Sequence, residues 1–182
     1  MEAEVRDLAA RRDIYKAICR YIRGQDRMLP EIQRSAFHSG AHVDCGVFQG
    51  DGDEWTAWAQ EIFRSMKGTQ HLLGQVDIDI RGDVADGEVY FIAWHRIVEN
   101  GADRDWFFAG RYIDQYECRD GEWRIVKRRE LVDWVRNDPP ADDFIRENAA
   151  LHLAGRGADD FSTHRNWPDR RTDAVHIRWE KR

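Results

Sequence analysis

A chain of 182 residues with 42% apolar and 34% charged side chains is long enough for one well-buried core and short for two domains. Its net charge of −6 argues against a phosphate-backbone partner, because the basic run Lys127, Arg128, Arg129 is too short to form a concentrated basic face. No apolar stretch approaches the roughly 18 residues of a membrane-spanning helix, and Cys19, Cys45 and Cys118, without CxxC spacing, indicate neither a disulfide framework nor a zinc knuckle.

The first residues, MEAEVRDLAARR, are acidic and helical in pattern and lack the basic start and apolar centre of a secretory signal, so a cytoplasmic home is expected by default. From Asp13 to Leu29, the residues Ile14, Ile18, Ile22 and Leu29 recur at three- and four-residue multiples and form the stripe of an amphipathic helix. Asp26 falls on that stripe. A helix of this phase turns its carboxylate toward the core, near the negative end of the helix dipole, and both placements disfavour the charged form. The alternatives are a helix that ends early with Gly24 as its cap, or an Asp26 that begins the next turn. Pro30 is placed to open a second short helix through Phe37.

Extended structure follows. AHVDCGVF alternates Val43, Cys45 and Val47 against His42, Asp44 and Gly46, the period of a half-buried strand. In DEWTAWAQEIFRSMKG, Trp55, Trp58, Ile62 and Met66 repeat at helical spacing, with Asp53 as a cap and Gly68 after the end. From Thr69 to Trp134 the chain reads as a meander of long strands. Turns are expected at RGD (81–83), ENGAD (99–103) and RDGE (119–122), the last with the Asp-Gly hairpin signal. Long strands rich in Trp, Tyr and Phe after helices imply a strongly curved sheet with helices on one face, an α+β fold. After Asn137, NDPPADD breaks the strand, a short helix is expected from Asp142 to Leu153, and GRGADDFSTHRNWPDRRTDA looks irregular. This tail either closes over the domain or docks on a neighbour.

His71 opens the strand HLLGQVDIDI. Simple alternation groups it with Gln75 and Asp77, opposite Val76, Ile78 and Ile80, but an isolated glycine in a strand often marks a bulge. One extra residue at Gly74 brings His71 and Leu73 onto the face of Val76 and Ile78, and the imidazole then points inward. His38, His42 and Asp44 have a metal-like spacing, yet nothing supplies the remaining ligands, and no metal is expected. GxSxG, P-loop, GxGxxG and HExxH motifs are absent. The remaining set, an acid, a histidine, tyrosines and arginines, moves protons without a cofactor.

The helix ending YIRGQD, the segment AFHSGAHVDCGVFQG, then TQHLLGQVDI and GRYIDQYECRDGEWRIVKR resemble the SnoaL-like branch of the nuclear transport factor 2-like superfamily over roughly residues 8–136. The resemblance implies a cystatin-like cone: a curved sheet wrapped around N-terminal helices with a ligand pocket inside, residues 1–136 forming the cone and 137–182 an extension. It also implies an Asp–His pair, as in bile-acid 7α-dehydratases and hexachlorocyclohexane dehydrochlorinases, at Asp26 and His71. Tyr21, five residues before the acid, matches the dehydratases, where the dehydrochlorinases carry lysine. The family arginine falls on Arg128, with Arg129 its neighbour. The implied activity is a cofactor-independent lyase acting on a small apolar substrate. Isomerase or cyclase chemistry with the same pair, or a non-catalytic role like that of a dioxygenase small subunit, stands as the alternative. A homo-oligomer, trimer rather than dimer, is implied as well.

Overall fold

The computed structural model describes residues 1–167. Helix α1 runs unbroken from Glu2 to Asp26, so the acidic start and the apolar stripe are one element. Glu2 and Glu4 complement its positive end and Arg23 its negative end. It stops three residues short of Leu29, where Met28 takes a positive φ of 55°. Gly24 lies inside the helix and is not its cap. A Cβ there would fall 2.2 Å from the backbone nitrogen of Gln33, so only glycine lets the short helix α2 (Pro30–Arg34) close against α1.

The second helix ends before Phe37, which instead opens strand β1 (Phe37–Asp44) by pairing with Ile125. The single strand expected at 41–48 is two: Gly46, with φ of 75°, turns the chain, and β2 (Gln49–Asp51) pairs back on β1. Helix α3 (Gly52–Ser65) is capped by Asp51, not Asp53. Asp51 Oδ1 accepts from the N–H groups of Asp53 and Glu54 while the Glu54 carboxylate takes the Asp51 N–H, a reciprocal capping box. Its buried stripe is Trp55, Ala59 and Phe63 with Thr56 and Gln60, a rotation from the expected face that leaves Ile62 exposed.

Strands β3 (Gly68–Arg81), β4 (Val84–Glu99), β5 (Ala102–Arg119) and β6 (Glu122–Asp138) form the expected meander. Asn100–Gly101 and Asp120–Gly121 both place two successive residues at positive φ, the geometry of a tight hairpin whose twist matches the strands. The six strands order as β2-β1-β6-β5-β4-β3, and the sheet is mixed because β1 runs parallel to β6. The sheet is curved and unclosed; α1 packs against β3 and β6, and α3 against β1. Ile14, Ile18 and Tyr21 of α1, Trp55 and Phe63 of α3, and Phe91, Tyr112 and Ile125 of the sheet fill the space between. This is the α+β cone.

Beyond Asp138 the tail holds α4 (Asp143–Glu147), a 3-10 turn (Gly157–Asp159) and α5 (Phe161–His164). The helix expected through Leu153 is thus a single turn and a half. The tail folds back on the open end of the cone: Arg27 Nη1 donates to the Gly155 carbonyl at 3.1 Å, and Gly157 N to the Arg27 carbonyl at 2.7 Å. Arg156 Nη1 caps the end of α3 through the carbonyls of Phe63 and Met66 at 2.9 and 2.8 Å. From Pro168 on, the stretch expected to be irregular lies outside the described residues.

Candidate active site

The register of β3 against β4 slips between Leu73 and Val76, so Gly74 and Gln75 together face Tyr90. This is the bulge that the isolated glycine signals. His71 and Leu73 consequently share the inner face with Val76 and Ile78, and His71 is buried.

Asp26 ends α1 directly beneath it. One carboxylate oxygen, Oδ1, takes the ring Nδ1 of His71 at 2.7 Å, and the other takes the backbone N–H of His71 at 2.8 Å. Burial alone would raise the Asp26 carboxyl, but its contacts with the ring and backbone of His71 outweigh burial and hold it below the ordinary carboxylate value. On the far side of the ring, the Gln25 amide nitrogen lies 3.1 Å from Nε2.

Tyr21 and Arg128 form a second cluster. The Arg128 guanidinium lies 4.1 Å from the ring centres of both Tyr21 and Tyr112. Its Nε and Nη2 grip Asp114 at 2.8 and 2.6 Å, and Tyr116 donates to the same carboxylate at 2.6 Å. Burial works against the arginine's charge, yet Asp114 overrides it and keeps the guanidinium firmly protonated. Nη1 is buried and unpaired. Its neighbour Arg129 is exposed and pairs with Asp44, so the interior arginine is Arg128. The Tyr21 hydroxyl accepts from Trp55 Nε1 at 3.2 Å, which leaves its own proton to donate; burial raises its pKa.

Two groups that the sequence reading did not single out complete the interior. Glu130 shares the inner face of β6 with Arg128, opposite Tyr112. Burial raises its carboxyl, the Cys45 thiol is its hydrogen-bond partner, and both His71 and Arg128 act on its charge, so it links the two clusters. His95 on β4 meets the His71 ring edge-on at 5.3 Å and stacks on Phe63 at 5.6 Å. Burial pushes it down to about 3, which keeps it neutral, and its Nδ1 has no partner. The inward alternation Val89, Phe91, Ala93 carried that signal.

Gln25, Phe63 and His95 lie against His71. A cleft of about 510 Å³ lies between the tail and the open end of the cone, walled by Arg27, Thr69, Trp94, Ile145 and Arg156, with neither Asp26 nor His71 on its wall. His38, His42 and Asp44 have other partners: the Glu117 carbonyl, Gln49 and Arg129. Among the described residues no group of three His, Cys, Asp or Glu is arranged to hold a metal ion, and no helix is long and apolar enough to cross a membrane.

Solved structures share this fold at low identity. A hexachlorocyclohexane dehydrochlorinase of type 2 superposes with a TM-score of 0.69 at 19% identity, covering 85% of this chain and 99% of its own. A candidate scytalone dehydratase from Novosphingobium aromaticivorans gives 0.63 at 22% identity over 75% of this chain and 95% of its own. A protein of unknown function with a cystatin-like fold from Nostoc punctiforme gives 0.57 at 18% over 68% and 90%. At these identities the likeness is one of fold. No curated protein matches the sequence. Residues 6–129 match the SnoaL-like domain, and with the cone around Asp26 and His71 in place, the chain belongs to the SnoaL-like family.

Proposed function

We propose that the protein is a cofactor-independent lyase of the dehydratase or dehydrohalogenase kind, acting on a small apolar, ring-bearing molecule. The observation that carries this reading is the buried Asp26–His71 contact of 2.7 Å. A carboxylate fixing one nitrogen of a buried imidazole makes the other a directed base. In the reaction, His71 Nε2 takes a carbon-bound proton. The C–H electron pair becomes the new double bond as hydroxide or halide leaves the adjacent carbon with its bonding pair. Asp26 orients the ring and stabilises the imidazolium formed. Tyr21 donates to a carbonyl or leaving oxygen, and the unpaired Arg128 Nη1 faces the negative charge that develops. Glu130, whose carboxyl burial raises, is the group assigned to give a proton to a departing hydroxide and turn it into water. The cleft beneath the tail is the way in.

The same reading makes residues 1–136 the reacting unit and the tail its cover, in a cytoplasmic homo-oligomer, trimer before dimer. Leu72, Tyr90, Ile92, Val132 and Trp134 leave an apolar patch on the outer face of the sheet, which supports self-association. Isomerisation or cyclisation with the same pair begins with the same proton abstraction.

The test is a panel of halogenated alicyclic and β-hydroxycarbonyl ring compounds, followed by mass spectrometry and halide release. Elimination is expected from the wild type, falling roughly 10²–10⁴-fold in His71→Ala and Asp26→Asn. Wild-type rates in both variants remove the base. A product isomeric with its substrate moves the assignment to isomerase, and retention without conversion moves it to a binding protein.

A further inference from the structure

We infer that Gln25, Gln33 and Gln60 form an amide relay that dictates which nitrogen of His71 carries the proton, with Gln25 a positioning residue that caps the basic nitrogen until substrate takes its place. The consequence for turnover rests on the lyase reading above; the relay itself rests on geometry alone.

The relay starts at a group that cannot change role. The Gly24 carbonyl oxygen only accepts, and it takes the Leu29 N–H at 2.8 Å and Gln60 Nε2 at 3.1 Å. Gln60 must therefore turn its NH₂ end this way, and the second N–H of that amide goes to Gln33 Oε1 at 2.7 Å. Gln33 is thereby fixed with its oxygen toward Gln60 and its NH₂ toward Gln25 Oε1, at 3.1 Å. Gln25 in turn presents N–H to His71 Nε2 at 3.1 Å. A nitrogen that receives an N–H must hold a lone pair. Nε2 is bare, and the ring proton sits on Nδ1, donated to Asp26 Oδ1.

Each link is shielded from water: Gln25, Gln33 and Gln60 are 2%, 0% and 5% exposed. No solvent is present to compensate a reversed amide, so orientation passes along the chain from backbone to imidazole. Placing a proton on Nε2 while Gln25 stays would set two donors face to face. Reversing Gln25 would reverse Gln33 and Gln60 in turn and leave an amide oxygen against the Gly24 carbonyl. The relay thus disfavours the other tautomer in the resting protein. For His71 to receive a carbon-bound proton, the substrate carbon must occupy the place of the Gln25 amide nitrogen, which locates the reacting carbon.

The experiment is ¹⁵N NMR of the imidazole nitrogens in full-length protein with labelled histidine, the His71 signals assigned by their loss in His71→Gln. Nitrogen shifts separate a protonated from a bare nitrogen without any substrate. Wild type is expected to show protonated Nδ1 and bare Nε2 only. Asp26→Asn, which removes the carboxylate but keeps the relay, is expected to keep that single tautomer. Adding Gln60→Leu to Asp26→Asn is expected to yield a mixture. A protonated Nε2 in the resting wild type overturns the inference, and this reading needs no variant to fold. A mixture already in folded Asp26→Asn, or no change on adding Gln60→Leu, also overturns it by giving the tautomer to other groups. A cluster of glutamines that merely packs would lower the melting temperature and leave the tautomer unmoved. If no substrate is ever turned over, the lyase reading fails while these spectra still decide the relay.

Discussion

Asp26 holds His71 at two points, ring and backbone, with its two oxygens 2.7 and 2.8 Å from Nδ1 and N. The side chain therefore anchors the start of β3 to the end of α1 as well as orienting an imidazole. Asp26→Ala leaves two buried donors without an acceptor, at about 1–3 kcal/mol each. Asp26→Asn retains one acceptor and is expected to lose less stability while losing turnover. Urea denaturation of both variants measures the difference, and equal stability would mean that only one of the two contacts forms.

Two of the interior carboxyls, Asp26 and Glu130, give stability opposite pH slopes. Asp26 sits below its ordinary value, so its contribution is present above the unfolded carboxylate range and is lost as pH falls through the folded value. Glu130 sits above its ordinary value. Between its unfolded and folded values the native protein holds a proton that the unfolded chain has released, so stability falls as pH rises through that window and stays reduced above it. Glu130→Gln is expected to melt like the wild type at pH 4 and increasingly above it toward pH 8. Asp26→Asn is expected to flatten the acid limb. Melting curves from pH 3 to 8 read both slopes.

The side chains of Arg128 and Asp114 are both fully buried, and their contact is 2.6 Å. Arg128→Met strands a carboxylate in the core and is expected to cost about 3–5 kcal/mol. Adding Asp114→Asn recovers much of the loss, because no charge then remains unpaired. A double-mutant cycle by chemical denaturation measures the coupling; independent, additive losses would show that the pair does not act as a unit.

Gly24→Ala sets a methyl 2.2 Å from the Gln33 backbone nitrogen. The expected cost is about 1–3 kcal/mol, with α2 displaced from α1. Differential scanning fluorimetry detects the loss. A neutral substitution would mean that the two helices are not in close contact here.

Asp26 was legible because a carboxylate on an isoleucine stripe violates helical periodicity, and His71 because Gly74 announced the bulge that turns it inward. Choosing Arg128 over Arg129 required only knowing which face of β6 is inside. What stayed hidden depends on tertiary contact. Gln33 is buried because Gly24 admits α2, and no local pattern reports that approach. Gln60 was masked because the large Trp58 and Ile62 drew the apolar face of α3 away from Ala59 and Phe63, which are the residues buried there. Glu130 follows Arg128 by two on a strand whose later residues are mostly exposed, and its meaning appears only when the Cys45 thiol is brought onto it from the neighbouring strand end.

The bulge at Gly74 and Gln75 makes the length of β3 a matter of odd or even. Loss of a single codon within the bulge would let β3 and β4 pair without interruption and leave His71 opposite Ala93 and Val76 opposite Val89, both still inward. Loss of Leu72 with the bulge retained would instead set His71 directly beside Leu73 and turn the imidazole to solvent, in a protein whose sheet was otherwise whole. The orientation of one imidazole is thus a matter of parity, sensitive to an indel on one side of the bulge and indifferent to one inside it.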